Sequence, residues 1–440
     1  MYTSYIGKKF LKLYKEEYQK PDDYSARQFF DEVMFPLFFE DESHLLHVGN
    51  SPFFQKPKES DVLESGGKAL AQRNNLRNKI KNNAVSGSIY VGFAAEGMQA
   101  TSSGQLTNIN FYIDEQEIYT SWIGAALGIG VSGGLVMLID EKEVLLALFH
   151  GWEHYRKFLR QTPGVKDKQI ETWNGHWLCL YFSNDFDPDF VNYSAIETGE
   201  VVGKMAIQTQ RWSHVIFSLS KKYPDQTIIA YSYNLSQTNT TLGFINVFLP
   251  QVRRLYELRD KIFLNEKDVI LKDKEIEKLE TFFTFKNACR FGVIGLKALE
   301  PAKLREFMPK GSVLYAQGKD FKFTDENSYF TYQLYKLWII AMLNKTELLQ
   351  LASDIAAALL EYEKLSEKGK STHSRLTEEV RTSSNIKTFI DKLTEVLDNA
   401  SEHAETFKNV VDQVLKMPAD NFPLFATLIR FEYTYQKSKI

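Results

Sequence analysis

From Ile118 to Ile139, within EIYTSWIGAALGIGVSGGLVMLID, the chain carries no charged side chain. A run of that length suits a bilayer, a cofactor loop or the interior of a folded core. About 20 apolar residues can span a membrane. Here five glycines, two serines and a threonine interrupt the run, and acids flank it on both sides with no basic cluster to set an orientation. GIGVSGG also satisfies G-x-G-x-x-G, but a dinucleotide loop needs a helix directly after the glycines, with its N-terminus facing the pyrophosphate. The residues after Gly134 are Leu135-Val136-Met137-Leu138-Ile139, which read as a strand. Two buried strands joined by a Gly-Val-Ser-Gly-Gly turn account for the letters more simply, glycine supplying the positive φ that tight turns require.

Strands are expected on both sides of that turn: SIYVGFAA, INFYID, IYTSWIGAAL and LVMLI, then HWLCLYF and TIIAYSYNL. Helices are expected at the N-terminus, where Phe10, Leu11, Tyr14 and Tyr18 recur at helical spacing and Pro21 ends the run. Others are expected in SARQFFDEVMFPLFF, interrupted at Pro36, and over KALAQRNNLRNKIKNN, EVLLALFHGWEHYRKFLRQ and GKMAIQTQRWSHVIFSLSKKY. After Leu249 the pattern is helical, with QVRRLYELRDKIFL and KEIEKLETFFTFKNACRFGVIGL both amphipathic. The expected class is α+β: a mixed N-terminal body with an antiparallel sheet over residues 1–325, then a bundle of about three helices over 326–440, broken at Gly369 and Pro418.

Chemistry is written sparsely. His150-Gly151-Trp152-Glu153-His154 fits the H-x-x-E-H pattern of zinc peptidases, in which histidines four apart on a helix share a metal. A metallopeptidase is therefore the alternative reading, but no third ligand stands in an obvious helical context. His44 and His47 lack flanking ligands, and Asp185, Asp187 and Asp189 are followed by Phe190 and Ile196 where a calcium loop needs glycine and glutamate. The two cysteines, Cys179 and Cys289, cannot build a four-thiolate site, and a reducing cytoplasm is the expected setting. MYTSYIGKKFLKLYKEEYQK contains no apolar segment long enough for a secretory signal. Neither a membrane nor a cofactor is implied, and no enzyme is expected.

Binding is better represented. A net charge of −3 means that any polyanion site must be a local patch. Between Glu64 and Glu96 no acid occurs, while Lys68, Arg73, Arg77, Lys79 and Lys81 cluster on one predicted helix. Arg73, Arg77 and Lys81 succeed one another at helical-turn spacing, so they can face a phosphate backbone together. Two uncharged polar loops complete the candidate site. GMQATSSGQLTN offers Gln99, Thr101, Ser102, Gln105 and Asn108, and SQTNTTLGF offers Gln237, Thr238, Asn239 and Thr240, amides and hydroxyls suited to base edges and phosphates.

HVGNSPFF, GMQATSSGQLTN, the GVSGG hairpin, RWSHVIFSLS, SQTNTTLGFI and the terminal LKMPADNFPLFATLIRFEYTYQK, in that order, resemble the large subunit of type I CRISPR effector (Cascade) complexes. The resemblance is one of pattern spread over most of the chain, without a short diagnostic motif. It implies a non-catalytic protein in an RNA-guided assembly, partnered by guide RNA, other subunits and a helicase-nuclease. Such a subunit recognises the motif flanking the target in double-stranded DNA and helps open the duplex, while guide pairing reads the sequence. Some members bind zinc through cysteines, which two distant cysteines do not support.

Overall fold

Gly133 and Gly134, at φ 97° and 72°, turn the chain between two strands that are buried throughout, Ile129–Val131 (β1) and Leu135–Ile139 (β2). The remaining strands are Thr198–Val201 (β3), Lys204–Ile207 (β4), Thr227–Asn234 (β5), Gln237–Phe248 (β6) and Val293–Ile294 (β7). The computed structural model describes residues 1–82, 85–93, 113–264, 271–309, 318–365 and 372–440, with backbone alone at 237–239. The fold is α+β. One sheet runs in the order β1-β2-β5-β6-β7, antiparallel except for the β6–β7 pair, and β3 and β4 form a separate antiparallel hairpin.

The expected strand over Ile118–Leu127 is instead the greater part of a helix, Glu115–Ala126, with Leu127 as its C-cap, and every residue from Ile118 to Ala126 is buried. A helix packed on all sides has no polar face and so no 3.6-residue alternation to read. Asp114 caps it, its Oδ1 accepting from the Glu117 amide at 2.7 Å. Helix Tyr2–Glu17 lies against it with backbone touching backbone: a Cβ on Gly7 would stand 1.9 Å from the Thr120 carbonyl oxygen, and one on Gly124 1.8 Å from that of Thr3. HWLCLYF is likewise helical, within Ile170–Tyr181, where Trp173 and Trp177 stack at 6.0 Å. SIYVGFAA forms no strand over its described part, and most of INFYID lies outside the described residues.

SARQFFDEVMFPLFF is helical with a π turn at Phe30–Met34, just before Pro36. Proline cannot donate to the carbonyl four residues back, and the wider turn, in which the Phe35 amide reaches the Phe30 carbonyl, carries the helix past it. KMAI before the Trp212–Lys222 helix is strand β4. KEIEKLETFFTFKNACRFGVIGL is not one helix but two short ones, Asp273–Glu277 and Phe285–Arg290, followed by β7.

The chain divides into two units, Met1–Pro250 with Thr284–Ile294, and Gln251–Phe283 with Gly295–Ile440. The expected boundary near residue 325 therefore falls inside the second unit. The excursion at 284–294 returns to lay β7 beside β6, a two-residue pairing too short to show as a sequence pattern. The C-terminal region holds six helices of ten or more residues among those described, from Glu326–Leu343 to Phe422–Ser438. Inside this second unit Lys336 and Glu432 form a buried ion pair at 3.0 Å, and the Tyr332 hydroxyl donates to the same carboxylate at 2.9 Å. Among the described residues no helix is long and apolar enough to cross a membrane.

Candidate nucleic-acid interface

The predicted basic helix forms, over Lys68–Asn82, but its cations do not make one free ridge. Arg77 is held by Asp31 at 2.6 Å, with both side chains largely covered. Arg73 lies 4.6 Å over the Phe35 ring, and burial together with the neighbouring Arg77 pulls its guanidinium below the usual range. Lys79 donates to Gln55 at 3.3 Å. Lys68 and Lys81 are exposed at opposite ends of the helix. The acid that meets Arg77 comes from the helical segment around Pro36, far outside the acid-free window, which is why that window did not reveal it.

Gln99, Thr101, Ser102, Gln105 and Asn108 lie outside the described residues. Gln237, Thr238, Asn239 and Thr240 belong to strand β6 and not to a loop, Thr240 being exposed. The turn itself is Leu235–Ser236, closed by the Asn234 carboxamide oxygen, which accepts from the Ser236 amide at 2.9 Å and its hydroxyl at 2.7 Å. It could not be located from the sequence, because Ser, Thr, Asn and Gln serve a twisted edge as readily as a loop.

A different arrangement emerges where three hairpin tips converge. Gly133–Gly134 of β1–β2, Val201–Lys204 of β3–β4 and Asn234–Ser236 of β5–β6 border a cavity of about 920 Å³. Its wall is completed by residues 166–172, which lead into the Ile170–Tyr181 helix, and by His47 and Phe54. Lys166 and Lys204 are exposed and make no ion pair among the described residues. Lys168 pairs with Asp167 at 2.7 Å and lies 5.1 Å over the Phe54 ring. A second cavity of about 530 Å³ shares Phe54 and Lys168 and reaches Gly66, Gly67 and Lys68 at the start of the basic helix. Of the predicted cations, Lys68 is the one that joins this system.

The β3–β4 hairpin is fixed at its base. The Gln169 carboxamide both donates to the Ile207 carbonyl at 3.2 Å and accepts from the Ile207 amide at 3.1 Å. The Lys166 amide donates to the Met205 carbonyl at 2.7 Å. The tip is strained: Val202 sits at φ 51° and Gly203 at φ 72°, a pair of left-handed residues in which β-branched valine is disfavoured. Val202 is 98% exposed, so no packing explains the choice.

Burial sets the local titrations. Burial alone would raise Asp167, but the Lys168 ammonium and the His44 amide hold its carboxyl below the ordinary range. Burial lowers His44 to about 4 and also lowers His47. Burial raises Glu171, which lines the same cavity, to about 7.

Of the HGWEH histidines, one is held and one is exposed. His154 stacks on Trp177 at 4.5 Å and its Nδ1 meets the Tyr193 hydroxyl at 2.9 Å, while His150 is exposed. Gly151 sits where a Cβ would stand 2.5 Å from Trp177, so the motif glycine serves helix packing. Asp187 accepts from the Asp189 amide at 2.9 Å in a local turn. Among the described residues no three His, Cys, Asp or Glu side chains are grouped as metal ligands.

Sequence reading missed Lys166, Lys168, Lys204 and Val202. VKDKQ carries an alternation of charge that says nothing of its neighbours, and only the fold brings it beside the β3–β4 tip. No protein-family model, curated protein or solved structure matches this chain.

Proposed function

We propose that this chain is a non-catalytic, DNA-holding large subunit of an RNA-guided type I CRISPR effector complex. The observation that carries the reading is the groove at the three hairpin tips, where Lys166 and Lys204 stand exposed without ion pairs among the described residues and Lys168 lines two adjoining cavities. Lysines at the border of a concave groove are suited to phosphates, and counterion release makes such contacts strongly favourable at low salt. The Asn234 side-chain NH2 stands beside them as a donor for phosphate oxygens or base edges, the Leu235 and Ser236 donors being used within the turns. Val202 offers an apolar side chain at a rigidly anchored tip, suited to wedging into a base step as duplex DNA opens. The wider assembly, with guide RNA, further subunits and a helicase-nuclease, rests on the resemblance in pattern.

The test has two parts. Native purification is expected to bring a discrete small RNA and partner subunits with the chain. Lys166→Glu/Lys204→Glu is expected to weaken duplex DNA binding about tenfold or more at low salt and to flatten its salt dependence. A chain purified from its source without RNA, whose duplex affinity ignores both reversals, would overturn the reading.

A further inference from the structure

Glu171 is out of place in a groove built for a polyanion. It lines the cavity that Lys166, Lys168 and Lys204 border, is 7% exposed, and forms no ion pair among the described residues. The groups around it give little compensation. Strand β1 meets its backbone at Gly130, its carboxyl accepts from its own backbone amide, and β5 presents the buried Tyr233 phenol, whose hydroxyl has no hydrogen-bond partner among the described residues. From the preceding helix comes Tyr155, and both phenols are pushed up in part by the Glu171 charge. Asp167 is ionised beside Lys168 and His47 stands across the cavity, so the site mixes fixed cations with two groups able to take up a proton.

We propose that Glu171 makes polyanion capture in this groove proton-linked, so that binding takes up a proton and the groove releases its ligand as pH rises. The inference rests on the groove being the nucleic-acid site. A phosphate chain laid along Lys166, Lys168 and Lys204 places negative charge over a carboxyl that is already costly to ionise where it is buried. That charge favours the neutral acid, and by linkage the neutral acid favours the charge. Free Glu171 titrates near neutrality, so the coupling falls where it is felt. His47, lowered by burial, takes up its proton only under more acidic conditions, which separates the two contributions.

The measurement uses the full chain and a short fluorescein-labelled DNA duplex, read by anisotropy at constant ionic strength from about pH 8.5 to about pH 6.5. The wild type is expected to bind roughly fivefold tighter at the lower pH, one unit of pKa change being tenfold at its limit. Glu171→Gln and Glu171→Met are expected to bind at the higher pH as the wild type does at the lower. His47→Gln is expected to keep the pH dependence. Calorimetry of the wild type in buffers of different ionisation enthalpy is expected to show net proton uptake, which needs no variant. If both Glu171 variants track the wild-type pH profile, or no proton is taken up, the linkage is wrong. Lys166→Glu/Lys204→Glu separates this from the site itself: lost binding there, with Glu171 silent, keeps the groove and removes the switch. Binding that ignores the lysine reversals removes both.

Discussion

Gly7 and Gly124 bring two helices to backbone contact. A Cβ on either would come within 2 Å of a carbonyl oxygen on the opposite helix, Thr120 for Gly7 and Thr3 for Gly124. These are backbone atoms of rigid elements, so relief requires moving a helix rather than turning a side chain. Gly124→Ala, which by helix propensity alone would stabilise, is expected instead to cost about 2–3 kcal/mol from overpacking. Urea unfolding checks the sign. A neutral or stabilising result would mean that the helices do not meet there.

Arg77 separates a structural cation from a binding one. Its guanidinium holds Asp31 at 2.6 Å with only about a quarter of the side chain exposed. Arg77→Ala leaves a largely covered carboxylate with only the more distant Arg27, at 3.8 Å, among the described residues, and is expected to cost about 1–2 kcal/mol, discounted for partial screening. The salt dependence of DNA binding is expected to stay as in the wild type. Lys166→Glu/Lys204→Glu should do the reverse, with stability near the wild type and a shallower salt slope. Unfolding curves and salt titrations on the same preparations distinguish them.

The second unit carries its own test. Lys336→Met strands Glu432 in a buried site, with only Tyr332 donating to it among the described residues, and is expected to cost about 3–5 kcal/mol. Lys336→Met/Glu432→Gln removes both charges and keeps an acceptor for Tyr332, so most of the loss should return. A double variant as unstable as the single one would show that packing, not the unpaired charge, sets the cost.

What the sequence disclosed divides along physical lines. The GVSGG hairpin and β5 were legible because turn glycines and a β-branched, aromatic run are local signals. The Lys68–Asn82 and Lys142–Gln161 helices were legible because one face of each is polar. Ile118–Ala126 was misread because a helix buried on all sides loses the alternation that identifies it, and His176–Phe182 because its buried half and its half-buried half are both apolar, so the run shows no polar face. A correct signal stood at Asp114-Glu115-Gln116-Glu117, where an acid cap with glutamate three residues later marks a helix start. The cationic site was legible as composition and not as place. Arg73 and Arg77 were spent on Phe35 and Asp31, while the free lysines came from segments whose proximity depends on the hairpin tips.

Two buried groups in the first unit should oppose each other in acid. His44 is lowered to about 4 when folded, so its contribution is complete above its ordinary value of 6.5 and is lost as pH falls toward 4. Glu171 is raised to about 7, so its contribution is complete below its ordinary 4.5 and is lost as pH rises toward 7. Each span of some 2.5 units corresponds to about 3 kcal/mol at most. Between pH 4.5 and 6.5 the two slopes have opposite sign, and their sum is expected to be nearly flat in the wild type. Single variants should expose the hidden contributions. Glu171→Gln leaves His44 alone, so stability should climb with pH across that interval. His44→Gln leaves Glu171 alone, so stability should decline with pH. Urea midpoints for the three proteins over the same buffers test the pair, and parallel profiles would mean that neither group is buried as described.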